Sequence, residues 1–252
     1  MIPIKTGTDL ARMRVACRLS ARILADVAAQ VRPGTTTGEL DAFAAARMRE
    51  LGVASAFFGY GGFPGYTCIS LNEEVVHGIP GPRAINAGDL VSVDLGVVAE
   101  GFIGDNATTV RVGAVDAESA RLCDVTAAAL AAGIAAARAG NRLGDVGHAV
   151  QTVAEAAGFS VVRDYCGHGV GRKLHEDPQI PNYGTPGKGP VLKPGMTLAI
   201  EPMVNQGTHR VEVLPNRWTV RTCDRKRSAH FEHTVLVVAD GPAEILTCAE
   251  KK

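Results

Sequence analysis

Apolar residues recur with two different periods along this chain, and the change of period outlines its elements. Helical spacing of three to four positions runs over 8–31 and again over 117–139. Between and after these helices the pattern is extended, with β-branched, apolar runs at 67–71, 90–98, 102–112, 161–165, 197–204, 209–214, 218–222 and 230–238. Helices and antiparallel strands in separate runs predict an α+β protein, with helices covering a central antiparallel sheet.

Two segments repeat each other. Arg32-Pro33-Gly34 leads into a helical stretch closed by Gly52, and Arg138-Ala139-Gly140 leads into another closed by Gly158. The offset of 106 positions sets Gly38 over Gly144 and Glu39 over Asp145. Thr36 and Glu39 have the spacing of a capping box. Farther on, GDLVSVD (Gly88 to Asp94) lies over GMTLAIE (Gly195 to Glu201) at an offset of 107, each ending on a carboxylate. A helix-then-strand unit present twice predicts one domain over 1–252 with pseudo-twofold symmetry.

The strands carry acids where apolar residues are expected. In VSVDLGVVAEGFIGDNATTV, Val91, Val93, Leu95 and Val97 share one face, and Ser92, Asp94 and Gly96 the other. Ala99-Glu100-Gly101 supplies a turn, so the two strands form a hairpin in which Asp94 and Asp105 are approximate cross-strand partners. Two solvated surface acids would satisfy the hairpin taken alone. Glu201 in the second half and Glu232 in HFEHTVLVV add two more acids in apolar strands. Unpaired buried carboxylates cost several kcal/mol each. Four of them would balance two divalent cations, and oxygen-rich ligation with one imidazole suits Mn, Fe(II), Co or Zn.

Composition narrows the classes. Lys+Arg and Asp+Glu both number 26 in 252 residues, which gives no pull toward nucleic acid or an anionic membrane. The first residues lack a signal-peptide pattern, and the apolar stretch 127–139 is too short to span a bilayer. Six cysteines without a Cys-x-x-Cys pair read as reduced thiols in a cytoplasmic protein.

The stretch CGHGVGRKLHEDP, from Cys166 to Pro178, has glycine spacing G-x-G-x-G rather than the phosphate-binding G-x-G-x-x-G. Its flanking glycines let backbone approach whatever His168 binds, and His175 is a second candidate. His77, followed by Gly78 and Pro80, is placed at a strand end beside a turn.

Taken together, NEEVVHGIP, VSVDLG, GFIGDNATT, GHGVGRKLHEDP, IEPM, WTVRT and SAHFEHT resemble, in order and over essentially the whole chain, the type I methionine aminopeptidases. These are metallopeptidases of the pita-bread fold shared with aminopeptidase P and creatinase. The resemblance implies two divalent ions held by Asp94, Asp105, His168, Glu201 and Glu232, with Asp105 and Glu232 bridging. It implies removal of the N-terminal Met of nascent polypeptides by attack of metal-activated water. Glu201 would be the general base, His175 would stabilise the oxyanion and His77 would position the amide. The Met side chain would lie among Tyr60, Phe63, Cys68 and Trp218, although Trp218 also fits as core packing of a hairpin. Asn72, Glu74 and Ser228 match positions that hold a monovalent cation in some relatives. Leu174 stands where relatives often carry Phe, a departure that bears on the pocket wall. A monomer of the minimal catalytic form, with the ribosome as a candidate docking partner, completes the expectation. Two other readings compete: an Xaa-Pro peptidase on the same fold, and a metal-free interaction module.

Overall fold

The computed structural model describes residues 2–248, so Met1 and 249–252 of the expected 1–252 unit lie outside it. Helix α1 (Gly7–Ala28) and helix α2 (Thr37–Glu50) precede strands β1 (Ala54–Ser55), β2 (Cys68–Leu71), β3 (Glu74–Val76), β4 (Leu90–Ala99) and β5 (Phe102–Arg111). Helices α3 (Ala117–Ala136) and α4 (Leu143–Ala156) open the second half. Strands β6 (Ser160–Val161), β7 (Gly167–Gly169), β8 (Glu176–Ile180), β9 (Thr197–Ile200) and β10 (Met203–Asn205) follow. The remainder comprises β11 (Val211–Val213), β12 (Val220–Thr222), β13 (Ser228–His230), β14 (Glu232–Leu236) and β15 (Glu244–Ile245).

One nine-stranded antiparallel sheet crosses both halves in the order β1-β4-β5-β14-β9-β7-β8, with β2 beside β4 and β15 beside β14. Its seam is the β5–β14 pair, where Ala107 meets Glu232 and Asn106 meets His233. Helix α1 lies directly on β5. A Cβ at Gly104 would come within 2.5 Å of the Cys17 Cα, so only glycine admits this approach. Ser20 Oγ donates to Asn106 Oδ1 at 2.7 Å on the same face. The helices therefore take the face of Leu95, Val97, Gly104 and Asn106. Asp94, Gly96, Asp105 and Ala107 point to the other.

The internal repeat extends to individual hydrogen bonds. Gly34 N–H donates to Ile85 O at 2.8 Å, and Gly140 N–H to Leu192 O at 3.0 Å. Gly38 N–H donates to Gly81 O, and Gly144 N–H to Lys188 O. Both glycines lie where a Cβ would press on a carbonyl oxygen of the crossing loop, at 3.0 and 2.4 Å. The capping box at Thr36 is formed, with Thr36 Oγ1 accepting from Glu39 N–H and the Glu39 carboxylate accepting from Thr36 N–H. In the second copy Asp145 accepts from Arg142 N–H at 2.7 Å.

Several predicted bounds are corrected. The first helix stops at Ala28 and the third at Ala136. The run 197–204 is broken at Glu201-Pro202, because proline has no N–H for the ladder, and 230–238 is broken at Phe231. Of the predicted run 161–165 only Val161 lies in a strand, together with Ser160 before it. Among the described residues, α3 alone is long and apolar enough to cross a membrane by length and composition, a longer apolar segment than the 127–139 stretch. Its Leu122, Cys123, Ala129, Leu130 and Ile134 are buried in the protein core, as in an ordinary core helix.

Candidate metal centre

Register places the acids. In the β4–β5 hairpin Ala99 pairs with Phe102, so the turn is the two residues Glu100 and Gly101, both with positive φ (53° and 74°). Asp94 thereby faces Ala107, and Asp105 faces Gly96. The expected cross-strand pairing of Asp94 with Asp105 is corrected to a diagonal one, because the turn centre lies between Glu100 and Gly101, one residue later than the midpoint of Asp94 and Asp105. The outcome is two adjacent rows on one face. The first runs Cys68, Asp94, Ala107, Glu232, and extending the β14–β9 register by one residue sets Glu201 level with Glu232. The second contains Gly96 and Asp105, then Thr234, Ala199 and His168. Ala107 and Gly96 keep Asp94 and Asp105 from direct opposition, whereas Glu232 and Glu201 stand level on neighbouring chain segments, a like-charged contact that destabilises a sheet unless a cation or a shared proton offsets it.

His168 reaches this cluster from β7. Its Nδ1 lies 3.0 Å from Gly169 O, a carbonyl that can only accept, so Nδ1 carries the proton and Nε2 is left as a lone pair. Nε2 lies 3.4 Å from Glu201 Oε1 and 3.7 Å from Asp105 Oδ2. Ligand atoms of Asp105, His168 and Glu232 all fall within 4.8 Å of one another. The glycines flanking His168 are required: a Cβ at Gly167 would lie 2.3 Å from Ala199 O, and one at Gly169 2.1 Å from Asp177 O.

The electrostatics call for a cation. Burial raises the Asp94 carboxyl well above the usual range, and Asp105 raises it further. Burial pushes Asp105 to about 7. Glu201 and Glu232 are likewise raised, by burial first and by neighbouring carboxylates second. Burial drives His168 down to about 3, aided by His175. Asp94 Oδ1, Asp105 Oδ1 and Glu232 Oε1 are buried without a hydrogen-bond partner. Orphaned carboxylate oxygens around a neutral imidazole nitrogen are a donor set that fits divalent metal.

A cavity of about 370 Å³ opens above these rows. Tyr60, Phe63, Cys68 and Trp218 all line it, as do His77, His175 and Leu174. Trp218 packs edge-on against Phe63 at 5.1 Å, so it is both wall and packing partner. His77 directly follows β3 with φ 59°, and burial lowers its pKa to about 4. His175 Nδ1 lies 2.7 Å from the Tyr60 hydroxyl, and burial lowers its pKa too. Phe57, Tyr165, Cys166 and Met203 also line the cavity and were not singled out in the sequence, where nothing in their spacing marks them. Nor was His230, fully buried, with an unpartnered Nε2 3.7 Å from Glu201 Oε2. Asn72 and Ser228 do meet, Ser228 N–H donating to Asn72 O at 2.8 Å. The Glu74 carboxylate accepts from Leu71 N–H and pairs with Arg83, so its side chain is committed to the fold.

Comparison with known proteins agrees with this geometry. The model of metallopeptidase family M24 matches residues 11–239. The chain is 48% identical to methionine aminopeptidase 1 of Bacillus subtilis over 247 residues, 98% of this chain and 99% of that protein. It is 45% identical to the Escherichia coli K12 methionine aminopeptidase over 248 residues, 98% of this chain and 94% of that one. The crystal structure of methionine aminopeptidase from Thermotoga maritima superposes with a TM-score of 0.96 at 50% identity, covering 98% and 99% of the two chains. A prolidase from Pyrococcus furiosus, at 24% identity and TM-score 0.78, shares the fold, which is the pita-bread architecture expected from the motifs. With its model matched over most of its length and close relatives aligned end to end, the chain belongs to metallopeptidase family M24, among the methionine aminopeptidases.

Proposed function

We propose that this chain removes the N-terminal Met from peptides by metal-assisted hydrolysis, and that Asp94, Asp105, His168, Glu201 and Glu232 hold the metal. The observation that carries this reading is the pair of rows just described: carboxylates from both halves of one sheet, with orphaned oxygens, in a cavity whose other walls include Phe57, Phe63, Leu174 and Trp218. Four carboxylates match the charge of two divalent ions, and the donor set accepts Mn, Fe(II), Co or Zn. When bound, such ions supply Lewis acidity, which acidifies water and polarises a peptide carbonyl.

The side chains divide the remaining tasks. Glu201, whose proton affinity is raised by burial, takes a proton from the attacking water and returns it to the leaving amine. His175 is kept neutral by burial. Tyr60 O–H as the donor to its Nδ1 would leave the proton on Nε2, available to an oxyanion. His77, also neutral, lines the same cavity and positions the scissile amide. Tyr60, Phe63, Cys68, Leu174 and Trp218 enclose an unbranched thioether side chain, which fills an irregular apolar slot well. The reading includes one catalytic unit, acting as a monomer in the cytoplasm on nascent chains at the ribosome; all six cysteines being free supports a reducing compartment.

Release of Met from a Met-Ala-Ser peptide, with and without chelator and after re-addition of single metals, tests the assignment. Met release that chelation stops and a divalent ion restores is the expected result. Cleavage of Xaa-Pro peptides in preference to Met-Ala-Ser would reverse the choice of substrate. Full activity in chelator would remove the metal.

A further inference from the structure

The turn that presents His175 is fastened to the first residues of the chain. Between β7 and β8 the backbone makes a tight excursion over 170–175, and Glu176 follows at once. The Glu176 carboxylate points inward. Its Oε2 accepts from Lys5 Nζ at 2.6 Å, and its Oε1 accepts from the N–H groups of Arg172 and Lys173 at 2.9 and 3.3 Å. The Lys5 and Glu176 side chains are 5% and 9% exposed.

Lys5 is itself held in place, its N–H donating to Gly195 O at 2.8 Å. The same pair explains the last glycine of GHGVG. A Cβ at Gly171 would lie 2.5 Å from Lys5 Cε and 2.7 Å from Glu176 Oε1, so the ion pair passes across bare backbone. A second tie lies outside it: Arg172 pairs with Asp9 of α1 at 2.9 Å and stacks over the Phe102 ring at 4.4 Å.

A buried ion pair adds little net stability over well-packed apolar residues, and it is better understood by the geometry it specifies. The geometry specified here is the path of the turn that ends at His175. We propose that Lys5 is a positioning residue for His175: it anchors Glu176, which clamps two consecutive N–H groups of the turn and so fixes where the imidazole stands over the cavity. The proposal rests on the role assigned to His175 above. Misplacing a group that contacts the reacting atoms by about 1 Å costs up to roughly 100-fold in rate, whereas Phe63, Cys68 and Trp218 of the pocket that binds Met lie outside this turn. The loss therefore falls on kcat and not on KM.

The test is steady-state kinetics of Met release from Met-Ala-Ser, with saturating metal, for Lys5→Met, His175→Ala and the double variant. Lys5→Met is expected to lower kcat roughly tenfold or more, with KM within about twofold. In the His175→Ala background, Lys5→Met should cause no further loss of kcat, because residues acting through one group are not additive. Equal losses in both backgrounds, or an unchanged kcat in Lys5→Met, would overturn the proposal. If Lys5→Met melts below the assay temperature, Glu176→Gln keeps an acceptor for the turn and leaves Lys5 without its anion. The same drop in kcat is expected there, and wild-type kcat overturns the proposal equally. Wild-type kcat in His175→Ala itself overturns the oxyanion assignment, a failure read separately from that of Lys5.

Discussion

His168 Nε2 stands 3.4 Å from Glu201 Oε1, His168 lying on β7 and Glu201 directly after the neighbouring strand β9. Ala199, paired with His168 across the ladder, is the small residue that leaves room for the imidazole to lean toward Glu201. An imidazole nitrogen and a carboxylate at that separation, with Nδ1–H held by Gly169 O, supply two of the five proposed metal donors.

Glu201→Gln keeps the size of the side chain and removes its basicity. Met release should fall by about 100-fold or more, the range of a lost general base. Near-wild-type turnover in a metal-loaded Gln variant would end the role given to Glu201.

Stability of the metal-free protein should fall as pH rises. Asp105 titrates near 3.8 in its ordinary state and about 7 when folded, and Asp94, Glu201 and Glu232 are raised as well. Each carboxyl binds its proton more tightly folded than unfolded, so the native state is favoured at low pH and that advantage disappears between about pH 4 and above pH 7. Thermal melts in chelator should show Tm declining across that window, and a divalent ion should restore it most strongly at the upper end. A chelated Tm that climbs with pH through this interval would contradict the burial of the acids.

Gly169→Ala is expected to be severely destabilising. Its Cβ would sit 2.1 Å from Asp177 O, backbone against backbone, where no rotamer relieves the clash. Overpacking of this kind costs roughly 1–3 kcal/mol or more. Urea unfolding would register it as a lower midpoint, accompanied by weaker metal binding as His168 is displaced.

Leu174→Phe tests the pocket wall. Leu174 is 5% exposed and lines the cavity, so a ring there must take volume from about 370 Å³ of open space. The expected result is a KM for Met-Ala-Ser raised roughly tenfold or more with kcat nearly unchanged, since apolar fit discriminates by about 1–3 kcal/mol. A parallel fall in kcat with constant KM would mean that Leu174 acts on the reaction and not on the fit.

Much of the architecture could be read from the chain because it is local. Period-two alternation set the faces of Val91–Val97, the repeat offset paired Gly38 with Gly144, and the Thr36 and Glu39 spacing announced a cap that is formed. The motif order also identified the acids and histidines that gather around one cavity. Tertiary structure alone decided how they meet. Whether Asp94 faces Asp105 or Ala107 depends on a turn of two residues in left-handed conformation, and a shift of its centre by one residue moves the cross-strand partner by two. The stretch from Gly167 to Ile180 forms paired strands because β9 and bare glycine backbone lie against it, which no local propensity records. His230 and Lys5 follow the same logic. Their burial beside Glu201 and Glu176 arises from segments distant in sequence, and desolvation is a property of what surrounds a side chain, which only the folded chain supplies.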